Sequence, residues 1–130
     1  MRDAERFCLN RVSLSSTETK ALIARAVERL QGEVPALGQL KLVVKLELRA
    51  RGGDAPIWRV EVPGPKVDRD PAGDARVEIS VPRPRFNELA ADGQLEDWVR
   101  AYERGEVTVS GDRSVVALLA NVIQRRRARV

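Results

Sequence analysis

The chain has 130 residues, of which 43% are hydrophobic and 32% are charged, and its formal net charge is +4. This balance excludes an intrinsically disordered chain, and no apolar run approaches the roughly 18–20 residues that span a bilayer. The length suits a single domain with one core, so we expect a soluble, folded protein.

The residue types that most enzymes use for catalysis are scarce. Cys8 is the only cysteine, and histidine is absent. One thiol forms neither an internal disulfide nor a zinc cage, and without histidine the chain lacks the commonest general base. Four carboxylates lie near two predicted helices, but the expected helix end at Gly93 falls among them, so we interpret them as surface charge: Glu88, Asp92, Glu96 and Asp97. We predict no enzyme activity, no metal and no cofactor.

The excess positive charge lies at the C-terminus. Four arginines occupy the last six residues, and without them the chain has 19 basic against 19 acidic residues: Arg125, Arg126, Arg127 and Arg129. A duplex-binding domain carries a basic face on its folded body, so we expect no specific nucleic-acid partner. We predict a solvated tail that suits the negative end of the preceding helix. Weak contact of these arginines with anionic membranes is the alternative.

The N-terminal third predicts a leader followed by a helix. Residues 1–14 mix both charge signs and lack the apolar segment of a secretory signal, which predicts a cytoplasmic protein. Ser15 followed by Glu18 is typical of a capping box, so a helix is expected to begin there. Apolar residues then recur at helical spacing as far as Leu30, and Gly32 predicts the end of the helix.

Alternating apolar and polar residues predict four strands in meander order. They cover residues 40–50, 58–62, 66–69 and 75–81, with a Gly-rich hairpin at 51–54 and a Pro-Gly-Pro turn at 63–65. The apolar positions share one face of each strand and the charged positions share the other. We therefore expect a sheet with one buried face and one polar face.

Two short helices follow, one ended by Gly93 and an amphipathic one at residues 95–104. Val107 and Val109 indicate a fifth strand, which should return beside an earlier strand through a crossover. Gly111 is expected to turn the chain, and Asp112 to cap a last helix.

The last helix is expected to run from about residue 113 to residue 124. Its apolar residues cover a broad arc, which predicts burial on more than one side. Together these elements predict an α+β domain at residues 15–124, between the leader at 1–14 and the Arg-rich tail at 125–130. Its five-stranded, mainly antiparallel sheet should be covered on one face by about four helices.

Two segments carry a resemblance to a known family. Residues 57–62 read IWRVEV, and residues 105–112 read GEVTVSGD between an amphipathic helix and an apolar one. With the strand bearing Val77 and Ile79 before them, they resemble the sterol carrier protein two family over about residues 37–123. The chain departs from the family at the Pro-Gly-Pro turn and at Arg83 and Arg85, where many members carry acidic residues. These arginines predict a cavity mouth that favours an anionic headgroup.

The resemblance implies a cavity between the sheet and the helices that holds a fatty acyl chain, a sterol or a similar lipid. We accordingly predict non-enzymatic lipid binding or transfer by a protein from a GC-rich bacterium. The alternatives are an interaction domain with a filled core and an accessory domain of a partner enzyme. The predicted ligand-binding residues, with Phe86 and Trp98 foremost, are Trp58, Val60, Val77, Ile79, Phe86, Leu89, Trp98, Tyr102, Leu118, Leu119, Val122 and Ile123.

Overall fold

The computed structural model describes residues 16–50 and 56–128. The predicted leader, the Ser15 cap, the hairpin at 51–54 and Arg129 therefore lie outside the described residues. Within the described ranges the chain forms five strands, four α-helices and one 3₁₀ helix. In chain order they are α1 Ser16–Glu33, the 3₁₀ helix Pro35–Gln39, β1 Leu42–Arg49, β2 Ile57–Val62, β3 Lys66–Arg69, β4 Val77–Pro82, α2 Arg83–Asp92, α3 Leu95–Glu103, β5 Thr108–Gly111 and α4 Arg113–Ala128.

The five strands form one mixed sheet in the order β3-β2-β1-β4-β5. All neighbouring pairs are antiparallel except β1 and β4, which are parallel. The α+β class and the mainly antiparallel sheet are thus confirmed, and β5 returns beside β4 as expected. The four-strand meander is wrong, because β4 crosses to the far side of β1 instead of pairing with β3. Alternation shows which face of a strand is buried but does not identify its neighbour.

The connection between β3 and β4 crosses the polar face of the sheet. Arg59 on β2 donates from Nε and Nη2 to the two carboxylate oxygens of Asp74 in this connection, at 3.1 and 2.8 Å. These hydrogen bonds hold the pKa of Asp74 below its ordinary value. This contact attaches the connection between β3 and β4 to β2.

The core lies on the other face of the sheet, which we call the inner face. The register places Leu46 beside Trp58 on β2 and beside Ile79 on β4, so their side chains point to this face. Leu48, Val77 and Val81 have no exposed side-chain surface. The helices that cover Leu48 and Val81 contribute Ile23 and Ala26 from α1, Phe86, Leu89 and Ala90 from α2, and Ala101 from α3.

The corner between β5 and α4 is fixed by steric and charge effects together. Gly111 has φ +126, and a side chain there would meet the carbonyl oxygen of Arg76. Asp112 Oδ1 accepts hydrogen bonds from the backbone amides of Ser114 at 2.9 Å and Val115 at 3.3 Å, which confirms the predicted cap. Arg76 donates to Asp112 Oδ2 at 2.8 Å. Arg76 and these amides lower the pKa of Asp112.

Candidate functional site

The last helix, α4, is attached to the rest of the protein at both ends. Its start is fixed by the Asp112 corner, and near its end Arg126 Nε donates to the carbonyl oxygen of Glu33 at the end of α1. Arg127 pairs with Glu96 in the first turn of α3, with 2.7 Å between Nε and Oε2. Between these attachments α4 lies beside β5 and beside the 3₁₀ helix that leads into β1. The helix therefore passes the end of the sheet where β1 begins.

These attachments correct two predictions about the C-terminus. The expected helix end near residue 124 is wrong, because α4 continues to Ala128. The proposed boundary between domain and tail falls inside this helix. Arg126 and Arg127 are half-buried and bonded to α1 and α3, so they do not form a solvated tail.

Only one side of α4 is turned toward the protein. Val115 is its only buried residue, and a stripe of half-buried apolar residues continues from it: Val116, Leu119, Val122 and Ile123. Leu118 lies on the outward side and is 45% exposed. The prediction that this helix is buried on more than one side is therefore wrong, because its outward side faces solvent. We call the four half-buried residues the α4 stripe.

A row of apolar side chains on the inner face is also incompletely covered. Its members are half-buried although they point to the core side of the sheet: Leu42, Val44, Val62, Ile79 and Val109. Their neighbours Val60 and Val77 are fully buried. Val44 and Ile79 lie on β1 and β4, where an inner-face position is ordinarily covered. We call these five residues the open strip.

The aromatic residues within the described ranges divide between the core and the surface. Phe86 on α2 and Trp98 on α3 pack edge to face, with 6.1 Å between their ring centroids. Trp58 is 3% exposed and belongs to the same core cluster, against which Trp98 packs. Tyr102, in contrast, is 55% exposed.

The chain is similar to known proteins in its structure, but its sequence matches no family. No protein-family model and no curated protein matches the chain. The solved structure of palmitated SCP2L2 from Aedes aegypti is 23% identical, with a TM-score of 0.53, and the match covers 78% of this chain and 93% of that one. The sterol carrier protein domain 2 of Helicoverpa armigera is 13% identical, with a TM-score of 0.55, over 85% of this chain and 88% of that one. The chain has the sterol carrier protein 2 fold.

A third structure with this fold bears a different description. It is UbiJ-SCP2, a ubiquinone synthesis protein, which is 20% identical with a TM-score of 0.51 over 85% of this chain and 93% of that one. At these identities the likeness establishes the sterol carrier protein 2 fold, as the resemblance predicted. In the part of the chain that the structure describes, no helix is long and apolar enough to cross a membrane.

The sterol carrier protein 2 fold places the twelve predicted ligand-binding residues in three environments. Five are buried on the inner face or beneath the helices: Trp58, Val60, Val77, Phe86 and Leu89. Five are half-buried: Ile79, Trp98, Leu119, Val122 and Ile123. Tyr102 and Leu118 are exposed.

Sequence reasoning did not name four members of the open strip as ligand contacts. These are Leu42, Val44, Val62 and Val109. The alternating pattern of their strands already placed them on the inner face. The signal was therefore present, but the pattern does not show which inner-face positions the helices leave uncovered.

The two arginines expected at a cavity mouth both have protein partners. Arg83 donates to the hydroxyl of Thr19 at 2.8 Å. Arg85 pairs with Glu88 and Glu106, each at 2.9 Å, and both contacts raise the pKa of Arg85. Their guanidinium groups thus stabilise contacts among α1, α2 and the segment before β5.

The polar face of the sheet has a shallow depression of about 190 Å³. It is lined by Lys45, Glu47, Glu78, Ile79, Ser80, Thr108 and Ser110. The Ser80 hydroxyl donates to Glu47 at 3.0 Å across its base. Among the described residues no cluster of side chains could hold a metal ion. This lining suits water or small polar solutes, so the inner face is the better candidate for an apolar ligand.

Proposed function

We propose that this protein binds and carries a lipid, or another long apolar ligand, between the open strip and the α4 stripe, without covalent chemistry. The observation that carries the proposal is that the apolar residues of the open strip and of the α4 stripe are only half-buried, and that α4 lies beside β5, which contributes Val109 to the open strip. The site would comprise the ten predicted residues that are buried or half-buried, together with the four remaining members of the open strip. Tyr102 and Leu118 are left out because of their exposure.

The apolar character of both surfaces supports this proposal energetically. Burial of apolar surface contributes about 25 cal/mol per Å², from which the cost of ordering the ligand must be subtracted. A long hydrocarbon chain offers enough surface for this gain to exceed that cost, whereas a small polar solute does not. Apolar pockets with few polar groups are also typical of ligand sites.

The structural neighbours support the same class of ligand. SCP2L2 of Aedes aegypti is described as palmitated, and its match covers most of its own length. The shared fold over this length supports an apolar ligand of the same kind for this protein.

The experiment compares two adjacent leucines on α4. Leu119 belongs to the half-buried stripe, whereas Leu118 points outward. Titration with a fluorescent acyl chain should show saturable binding to the wild type, and Leu119→Ala should weaken it about fivefold to twentyfold through lost apolar contact. Leu118→Ala should leave the affinity within a factor of two.

Two results would contradict the proposal. One is the absence of both saturable binding and any hydrophobic molecule retained by gently purified protein in native mass spectrometry. The other is equal weakening by the two leucine variants, which would show that the inward side of α4 has no special role.

A second candidate is an accessory domain that assists a partner enzyme. It is favoured by the likeness to UbiJ-SCP2, which is described as a ubiquinone synthesis protein. An accessory domain with a filled inner face would stay folded and bind no apolar ligand in isolation. The acyl-chain titration therefore distinguishes this version from the carrier.

A further inference from the structure

Trp58 and Arg69 form an unusual pair at the edge of the inner face. They lie directly opposite each other on β2 and β3, so their side chains point to the same side of the sheet. The guanidinium carbon of Arg69 lies 5.3 Å from the centre of a Trp58 ring. At this distance a cation is attracted to the face of an indole.

The indole N–H of Trp58 has no acceptor. Nε1 is buried, and it is the only buried side-chain nitrogen or oxygen in residues 16–50 and 56–128 without a hydrogen-bond partner. An unpaired buried donor is unfavourable, and native proteins satisfy nearly all such groups. The site therefore provides a donor for an acceptor that the described protein does not itself supply.

Arg69 lacks a counterion in the same place. Its side chain makes no hydrogen bond or ion pair with any residue in the described ranges, whereas Arg59, Arg85 and Arg127 each pair with a carboxylate. A carboxylate beside the indole would accept from the N–H and neutralise the guanidinium, and both hydrogen bonds would be charge-assisted. Water or an alcohol would satisfy the indole but leave the cation without a counterion.

The position of the pair also fits an amphiphile. Arg69 is exposed on the edge strand β3, whereas Trp58 belongs to the buried core cluster. From Trp58, the inner face continues along β2 to Val62 in the open strip, over roughly 13 Å at the usual rise of a strand. An anionic end at the edge would thus leave an attached hydrocarbon chain on the apolar side.

We propose that Trp58 and Arg69 form a headgroup site that selects apolar ligands carrying a carboxylate over neutral ones. This inference rests on the proposed function, because it assigns the polar end of the same ligand. The pair of Trp58 and Arg69 would then give the site its preference for anions. Arg83 and Arg85 would not, because their side chains have protein partners.

The test measures binding of hexadecanoate and hexadecanol, by displacement of a fluorescent acyl probe at pH 8, to four forms of the protein. Trp58→Phe removes the N–H and keeps an aromatic ring, and Arg69→Gln removes the cation from an exposed position. Arg25→Gln, on the exposed side of α1, is the control for the loss of one positive charge. Circular dichroism verifies that each form is folded.

We expect the wild type and Arg25→Gln to bind hexadecanoate about tenfold more tightly than hexadecanol. Trp58→Phe and Arg69→Gln should each reduce the ratio of the two affinities, measured for the same variant, to within about threefold. In ¹H–¹⁵N spectra the chain has only two indole signals, because it has two tryptophans. The signal absent from Trp58→Phe should shift in the wild type with hexadecanoate and not with acetate.

Each contrary result has a distinct meaning. Equal affinity of the wild type for acid and alcohol, or a preference that survives both variants, overturns the headgroup site while leaving the carrier intact. If acetate shifts the Trp58 indole signal as much as hexadecanoate does, the site binds anions unrelated to lipid, and this result also overturns the headgroup site. If the wild type binds neither long-chain ligand, the proposed function fails, and the headgroup site fails with it.

Discussion

Two parts of the inner face, built on the same strands, differ in how completely they are covered. At Leu48, near the end of β1, α2 packs on β1 and β4, and no side-chain surface is exposed. At Leu42 and Val44, near the start of the same strand, the side chains are only half-buried. The two parts differ in their helix contacts, since α2 packs on β1, on β4 and against α1, whereas α4 contacts β5 and the 3₁₀ helix.

This difference suggests a division of roles within one apolar layer. The closed part has buried side chains from the sheet and from three helices, and it supplies most of the packing that stabilises the fold. The open part contributes less to folding, because its side chains remain partly in water. A ligand that covers it would gain burial that folding alone does not provide.

The largest expected effect is a contrast between two leucines on β1. Leu48→Ala should lower the free energy of unfolding by about 2–5 kcal/mol, because it leaves a cavity in a fully buried site. Leu42→Ala, at the half-buried end, should cost less than half as much. Urea denaturation measures both values, and equal losses would show that the two parts of the inner face do not differ in packing.

A smaller effect is expected at the start of α4, where the charge of Asp112 matters. Its folded pKa is lowered, chiefly by Arg76, so its stabilising contribution is present above the ordinary aspartate value of about 3.9. That contribution is lost as pH falls through the folded pKa. Asp112→Asn keeps a capping side chain but removes the charge.

The melting temperature of the variant should therefore lie a few degrees below that of the wild type at pH 7. The two melting temperatures should converge below a pH of about 4. Thermal unfolding between pH 2.5 and 7 measures this convergence. Added salt should also narrow the gap at pH 7, since Arg76 is largely exposed. A gap that is independent of pH would mean that Asp112 acts through capping geometry alone.

The smallest expected effect on overall stability lies at the other end of α4. Glu96→Gln removes the ion pair with Arg127, and exposed pairs contribute little to global unfolding. The last turns of α4 should nevertheless open more often, so their amide hydrogens should exchange several-fold faster while those of β1 are unchanged. Glu28→Gln, on the exposed side of α1, is the matched control. Unchanged exchange in α4 would show that Arg126 alone fixes this end.

Much of the architecture could be predicted from local patterns. Alternation in Leu42–Arg49 and Val77–Pro82 identified two strands and their inner faces, and Asp112 after Gly111 identified a capped helix. The partner of β4 could not be predicted, because each strand pattern is compatible with either neighbour. The sequence did contain evidence for the longer α4, since no glycine or proline follows Gly111 and arginine favours helices.

The candidate site was less predictable than the fold, for a physical reason. The apolar character of Leu118 and Leu119 is identical, and only the attachment of α4 at its two ends determines which one faces inward. In the same way, whether the indole N–H of Trp58 finds an acceptor depends on the groups around it, and the spacing of residues in the sequence does not identify those groups. Which side chains are covered, and which donors find an acceptor, depends on how the sheet and the helices pack together.

The parallel pairing of β1 with β4 also affects how the chain assembles during translation. A nascent chain that ends before Val77 contains β1, β2 and β3, but β1, the central strand of the complete sheet, still has unpaired amide and carbonyl groups along the edge that β4 will occupy. Such an edge can recruit a strand from another molecule until β4 is synthesised. Truncated products that end between β3 and β4 should therefore be the form of this protein most prone to aggregate.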